Sequence, residues 1–239
     1  MQQLGQTRSA LCSDHLLQTP DTFVRTAWPG LRNGAVIVHV SPAARARFTE
    51  YTAEFEAGGE LLPVGAQRFI FVLEGDVIVN GQSLPSGGYA YLPPAFNAPL
   101  AARAASRAVI IEKPWLSPSA SPPPFLAGHE SSIAAVPLAG DEALTVRSLL
   151  PDDPSFDFAV NTMTYLPGAS LSMVEVHVME HGLLMLEGGG IYRLGRRWYQ
   201  AAAGDFIWMA PYCPQWFGAL GKTPAKYLIY KNWQRGLLE

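Results

Sequence analysis

The chain is predicted to be all-β and built from two tandem copies of one barrel-like unit. Three observations predict this. Side chains alternate with period two in Arg68-Phe69-Ile70-Phe71-Val72-Leu73, Asp76-Val77-Ile78-Val79, Asp205-Phe206-Ile207-Trp208-Met209 and Lys226-Tyr227-Leu228-Ile229-Tyr230, as half-buried strands require. The 22 glycines and 20 prolines interrupt these runs at short intervals, and no strong amphipathic helix stands out. Finally, the pattern repeats. Phe71-Val72-Leu73-Glu74-Gly75 answers to Leu184-Met185-Leu186-Glu187-Gly188 at an offset of 113, and Gly88…Pro94 answers to Gly204…Pro211 at offsets of 116 and 117, so one domain has been duplicated with few insertions.

The elements follow in order. Residues 1–35 read as an N-terminal arm, with Phe23, Val24 and Trp28 as apolar anchors that pack across a barrel. Residues 36–113 form the first barrel. Residues 114–130, opening on Pro114-Trp115-Leu116-Ser117-Pro118 and continuing to Pro122-Pro123-Pro124, form a Pro/Ser-rich connector whose composition disfavours regular structure. Residues 131–239 form the second barrel.

Composition narrows the function. Of the 239 residues 49% are hydrophobic, enough to bury full cores, while the net charge of −3 and scattered basic residues give no footprint for nucleic acid. Two cysteines, Cys12 and Cys213, are too few for a disulfide framework and lack the paired spacing of a zinc knuckle. The N-terminus lacks an export signal and no apolar run could span a bilayer, so a soluble, cytoplasmic protein is expected. Spare strand edges make a homo-oligomer the expected assembly.

The chemistry concentrates in Glu175-Val176-His177-Val178-Met179-Glu180-His181. On an extended strand Glu175, His177 and His181 share a face, and Gln215, from a neighbouring strand, is the expected fourth ligand. Two imidazoles, a carboxylate and an amide oxygen form a set without thiolate. In an octahedral field they leave two positions open, which suits Mn²⁺ first, with Fe²⁺ or another divalent metal also fitting. By contrast, His15, His39 and His129 stand alone and read as ordinary core or surface histidines.

Two rival motifs fail on local structure. His177-x-x-Glu180-His181 matches a metalloprotease signature that needs a helix, which Val174, Val176, Val178 and Gly182 disfavour. Gly188-Gly189-Gly190 lacks the lysine and following helix of a phosphate loop and reads as a tight hairpin turn. Across the repeat, Glu175, His177, His181 and Gln215 fall on Leu62, Val64, Arg68 and Ala98, so the first copy keeps the fold and loses the metal.

The spacing resembles the cupin superfamily, which implies two jelly-roll barrels in tandem, a bicupin. The usual His-x-His and later histidine are replaced here by Glu175-x-His177, His181 and Gln215. More closely, the chain resembles the ureidoglycine aminohydrolase family of purine and ureide (allantoin) catabolism. The resemblance rests on Leu166-Pro167-Gly168-Ala169-Ser170, Glu175 to Gly182, Pro214-Gln215-Trp216-Phe217-Gly218 and Tyr227-Leu228-Ile229-Tyr230-Lys231. Thr19-Pro20-Asp21 and Arg68 to Gly75 carry it into the first half.

The resemblance implies Mn²⁺ on Glu175, His177, His181 and Gln215, and substrate contacts from Glu175, Gln215, Tyr227 and Lys231. Glu175, Tyr227 and Lys231 are then the catalytic candidates, with (S)-ureidoglycine hydrolysed to (S)-ureidoglycolate and ammonia. Asn232 and Gln234 depart from the family's usual Lys-Asp and Asn-Arg pairs. The alternatives are a cupin dioxygenase or isomerase acting on a small carboxylic acid, or a metabolite-binding cupin without turnover.

Overall fold

A computed structural model describes residues 6–116 and 121–233, so Ser117 to Ala120 of the connector and Gln234 lie outside the described residues. Among those described there is no α-helix, only strands and three short 3-10 turns, as the period-two patterning predicts. No helix is long and apolar enough to cross a membrane.

The chain divides into two compact units. One runs from Val24 to Ile133 and includes the short return Asp152–Asp157; the other gathers the N-terminal stretch up to Phe23, Ala134–Pro151 and the chain from Phe158 onward. Neither the arm nor the connector is purely irregular. His15–Gln18 pairs with Phe206–Met209 as an added strand of the second unit, while Leu31–Val40 pairs with Thr49–Leu61 in the first. Leu126–His129, within the expected connector, pairs with Gly88–Leu92. Proline-rich composition therefore covers only the front of that segment.

The first unit is one antiparallel sheet of ten strands, with Gln67–Glu74, Ser106–Lys113 and Thr49–Leu61 at its centre. Alternate residues Val36, Tyr51, Ala53, Ile70, Val72, Ala90, Ala108 and Ile110 turn inward to one core. Asp157 anchors the return segment. Its carboxylate accepts from Lys113 Nζ at 2.7 Å, Gln67 Nε2 at 2.7 Å and the Leu116 amide at 2.8 Å.

Arg68 falls where His181 falls in the second unit, and its surroundings differ from those of that histidine. Its guanidinium is buried and pairs with Glu112 at 2.6 Å, while the Tyr51 hydroxyl donates to the same carboxylate at 2.8 Å. Glu112 is the cross-strand partner of Arg68, just as Lys231 is that of His181. An ion pair thus occupies the interior where the other copy presents ionisable groups.

Glu50 is another consequence of burial. It is 1% exposed, one carboxyl oxygen has no hydrogen-bond partner, and desolvation pushes its pKa up to about 8. The folded state therefore holds a proton that the unfolded chain releases near the ordinary glutamate value. Stability is fully present at low pH and lost as pH rises through the folded pKa. Glu50→Gln, which mimics the neutral acid, is expected to match the parent near pH 4 and exceed it by on the order of 2 kcal/mol at pH 8. Urea denaturation at both pH values checks this; an equal difference at the two would refute it.

The second unit packs an eight-stranded sheet against a three-stranded one. The large sheet places His181–Glu187 between Phe206–Met209 and Ala225–Asn232, and the small one orders Arg197–Ala202, Gly189–Leu194 and Gln215–Ala219. Tyr165, Met185, Tyr192, Leu194, Phe217, Tyr227 and Ile229 fill the space between them.

The expected hairpin at Gly188-Gly189-Gly190 is not one. His181–Glu187 and Gly189–Leu194 pair with different strands, and Gly188, at φ +63°, carries the chain from the large sheet to the small one. A Cβ on Gly190 would lie 2.1 Å from the Gly218 carbonyl oxygen, so glycine is needed for backbone approach as well as for turning.

Candidate metal centre and active site

The segment from Glu175 to His181 is not the single strand expected. Glu175 forms an isolated bridge with Gln215, exchanging both backbone hydrogen bonds at 2.8 and 2.9 Å, and a regular strand begins only at His181. Between them the chain bends, and the His177 carbonyl accepts from the Tyr212 amide at 2.6 Å. Strand alternation is therefore not what brings these residues together. The Glu175–Gln215 bridge aligns two of them, and the following bend returns the chain to the barrel at His181.

Within this arrangement His177 Nε2 lies 3.1 Å from a Glu175 carboxylate oxygen, and the rings of His177 and His181 are 5.2 Å apart by centroid. Glu175 and His177 are each about one-third exposed, whereas His181 and Gln215 are buried. The set is looser than a closed metal cage: among the described residues, the trio of His, Cys, Asp or Glu donors lying within 4.8 Å of one another is Asp14, His15 and Cys213.

The histidine chemistry suits ligation. Burial, reinforced by the positive charge of Lys231, lowers the His181 pKa to about 3, so the imidazole is neutral. With Nδ1 directed at the Glu180 carbonyl oxygen at 2.9 Å, donation from that nitrogen leaves the Nε2 lone pair available. Gln215 is fixed from the other side, because the buried Tyr192 hydroxyl donates to its Oε1 at 3.2 Å.

Tyr227 and Lys231 lie on the strand Ala225–Asn232, on the same face as the core residue Ile229. Lys231 is the cross-strand partner of His181. Desolvation lowers its pKa, and the negative charge of Glu175 acts in the opposite direction. Tyr227 is buried, with its hydroxyl 2.6 Å from that of Tyr165, and burial raises its pKa well above the ordinary phenol value.

Tyr165 and Tyr192 were missed by reading the sequence for ligands. Each contacts a candidate residue, but their only signal is inward parity on strands, which marks any core aromatic. Asn232 is also placed: its amide nitrogen donates to the Glu180 carboxylate at 3.3 Å, beside the Trp208 indole, which donates to the same side chain at 3.2 Å. Glu180 is thus buried and hydrogen-bonded.

The two units define a tandem cupin fold. Oxalate decarboxylase from Bacillus subtilis, in a structure concerned with its Mn(II) centers, superposes with TM-score 0.71 at 11% identity over 94% of this chain and 79% of that one. Protein Ylba from E. coli superposes with TM-score 0.85 at 24% identity over 97% and 96% of the two chains. No family model matches the sequence.

The particular family emerges from curated relatives. The chain is 39% identical to the "Probable (S)-ureidoglycine aminohydrolase" of Oryza sativa subsp. japonica, over 97% of its own length and 77% of the relative's. It is 38% identical to the (S)-ureidoglycine aminohydrolase of Arabidopsis thaliana, over 98% and 80%. The chain belongs to the (S)-ureidoglycine aminohydrolase family.

Proposed function

We propose that this enzyme hydrolyses (S)-2-ureidoglycine to (S)-ureidoglycolate and ammonia in purine and allantoin breakdown, with Mn²⁺ as cofactor. The observation that carries the reading is the meeting of Glu175, His177, His181 and Gln215 around the Glu175–Gln215 bridge, in a chain of this family. Their donors, two imidazoles, one carboxylate and one amide oxygen, fit a borderline-to-hard divalent ion and give no reason for a thiolate-loving one. Held there, Mn²⁺ would supply a Lewis-acid centre that orients the amine and carboxylate of the substrate.

The remaining work falls to the chain's own side chains. Replacing amine by hydroxyl requires a proton at the departing nitrogen and the loss of one from the incoming water, so atoms and charge balance with ammonia as the leaving species. We assign that traffic to Lys231, the cross-strand partner of His181, and the assignment is supported by desolvation, which brings its pKa down from the ordinary lysine value. A lysine with lowered pKa can also pair with the substrate carboxylate while protonated. Tyr227, held by Tyr165, presents a hydroxyl that stays protonated at neutral pH and can donate to substrate oxygen. Assembly as a homo-oligomer in the cytoplasm is part of the same proposal.

The test is ammonia release from freshly generated (S)-ureidoglycine by purified, Mn²⁺-loaded chain, with chiral analysis of the product. Stoichiometric ammonia and (S)-ureidoglycolate, both lost on chelation and restored by Mn²⁺, are expected. A folded, metal-loaded preparation that releases no ammonia above the uncatalysed rate would exclude the reading.

A further inference from the structure

The two cysteines, separated by some two hundred positions, come to one place in the second unit. The arm strand His15–Gln18 pairs beside Phe206–Met209, setting His15 opposite Met209. The Asp14 carbonyl accepts from the Ala210 amide at 2.9 Å, so the loop running on to Cys213 is held against the arm. Asp14 Oδ1 lies 2.8 Å from His15 Nδ1, and Cys213 Sγ lies 3.9 Å from Asp14 Oδ2. Possible donor atoms of all three side chains lie within 4.8 Å of one another. His15 and Cys213 are 2% and 4% exposed, and Asp14 forms the outer wall.

We propose that Asp14, His15 and Cys213 form a second metal site, separate from the barrel centre, which takes a thiolate-binding divalent ion such as Zn²⁺. One sulfur, one imidazole and one carboxylate, each offering a donor atom within 4.8 Å of the others, match the ligand types that zinc prefers. They differ in kind from the barrel set, which contains no sulfur. Tyr199 supplies the outer support such a site requires: its hydroxyl is 2.8 Å from His15 Nε2. Accepting a hydrogen bond from Nε2–H would fix the tautomer that leaves Nδ1 free for the ion. Cys12 Sγ approaches the same hydroxyl at 3.9 Å, placing the second thiol at the edge of the set. On binding, the ion replaces the Asp14–His15 and Asp14–Cys213 contacts, and the Cys213 thiol releases its proton to solvent. The consequence is a brace between arm and loop, two residues before Gln215, whose occupancy does not depend on the function proposed above.

Co²⁺ titration of the fully reduced chain in a thiol-free buffer tests this, because thiolate ligation gives an intense near-ultraviolet charge-transfer band that the oxygen and nitrogen donors of the barrel cannot produce. A thiolate band saturating at one ion per chain is expected in the parent and in His177→Ala, and is expected to vanish in Cys213→Ser. Asp14→Asn, at a partly exposed position, is expected to stay folded and weaken that band's apparent affinity by about tenfold or more. Absence of the band in folded parent protein, or its persistence in Cys213→Ser, would overturn the proposal, as would binding confined to the barrel site.

Discussion

His177→Ala is expected to abolish ammonia release, lowering kcat/KM by on the order of 10³-fold or more, while changing the unfolding midpoint little. The size follows from what the imidazole is proposed to do: outer partners of metal ligands typically cost 10–100-fold when removed, and a direct ligand should exceed them. The small stability effect follows from burial, because His177 is about one-third exposed on a bend outside the core and its side-chain partner is Glu175 at 3.1 Å. Gln215→Ala should lose activity similarly but with some destabilisation, since Gln215 is buried and accepts from Tyr192. Metal affinity measured beside activity separates the causes. A His177→Ala chain with parental Mn²⁺ affinity and parental turnover would remove the histidine from the centre.

Asp157→Ala is expected to destabilise the first unit by about 3–5 kcal/mol, the usual cost of removing one partner from a buried ion pair. The carboxylate receives three donors, from Lys113, Gln67 and the Leu116 amide, and both charged side chains are almost fully buried, at 3% and 4% exposure. Truncation removes the charged partner of a buried ammonium. Replacing both charges, as in Lys113→Met with Asp157→Leu, should cost much less, because the desolvation of two ions is removed with their attraction. Denaturant unfolding of the two variants checks this. A single variant no less stable than the double one would show that Lys113 gains solvent or another anion in its place.

Much of the fold was legible in the strands themselves. Arg68 to Leu73 and Lys226 to Tyr230 read as strands, and they are strands, with Ile70, Val72, Tyr227 and Ile229 turned into the cores; the residues between them are nearly all buried as well, so these strands are covered on both faces and not half-buried as the alternation predicts. The duplication was legible too. Strand pairing across long separations was less so: nothing local to Leu126–His129 reveals that it adds to a sheet edge, and the proline-rich run before it masks the strand.

The site divides along the same line. Residue type and spacing singled out Glu175, His177, His181 and Gln215, because two imidazoles and a carboxylate within seven positions carry their chemistry wherever the backbone puts them. The assumed strand was wrong, and the gathering comes instead from the backbone bridge of Glu175 to Gln215 and from the bend before His181. The sequence by itself determined the β-class of this protein, its duplication and the chemical types of its candidate ligands, since each is written in neighbouring residues. Only the tertiary structure decided that Tyr165 and Tyr192 support Tyr227 and Gln215, that Arg68 and Glu112 occupy the first barrel, and that Asp14, His15 and Cys213 converge. Those contacts join segments far apart in the chain, and their geometry is set by how sheets pack rather than by any local preference.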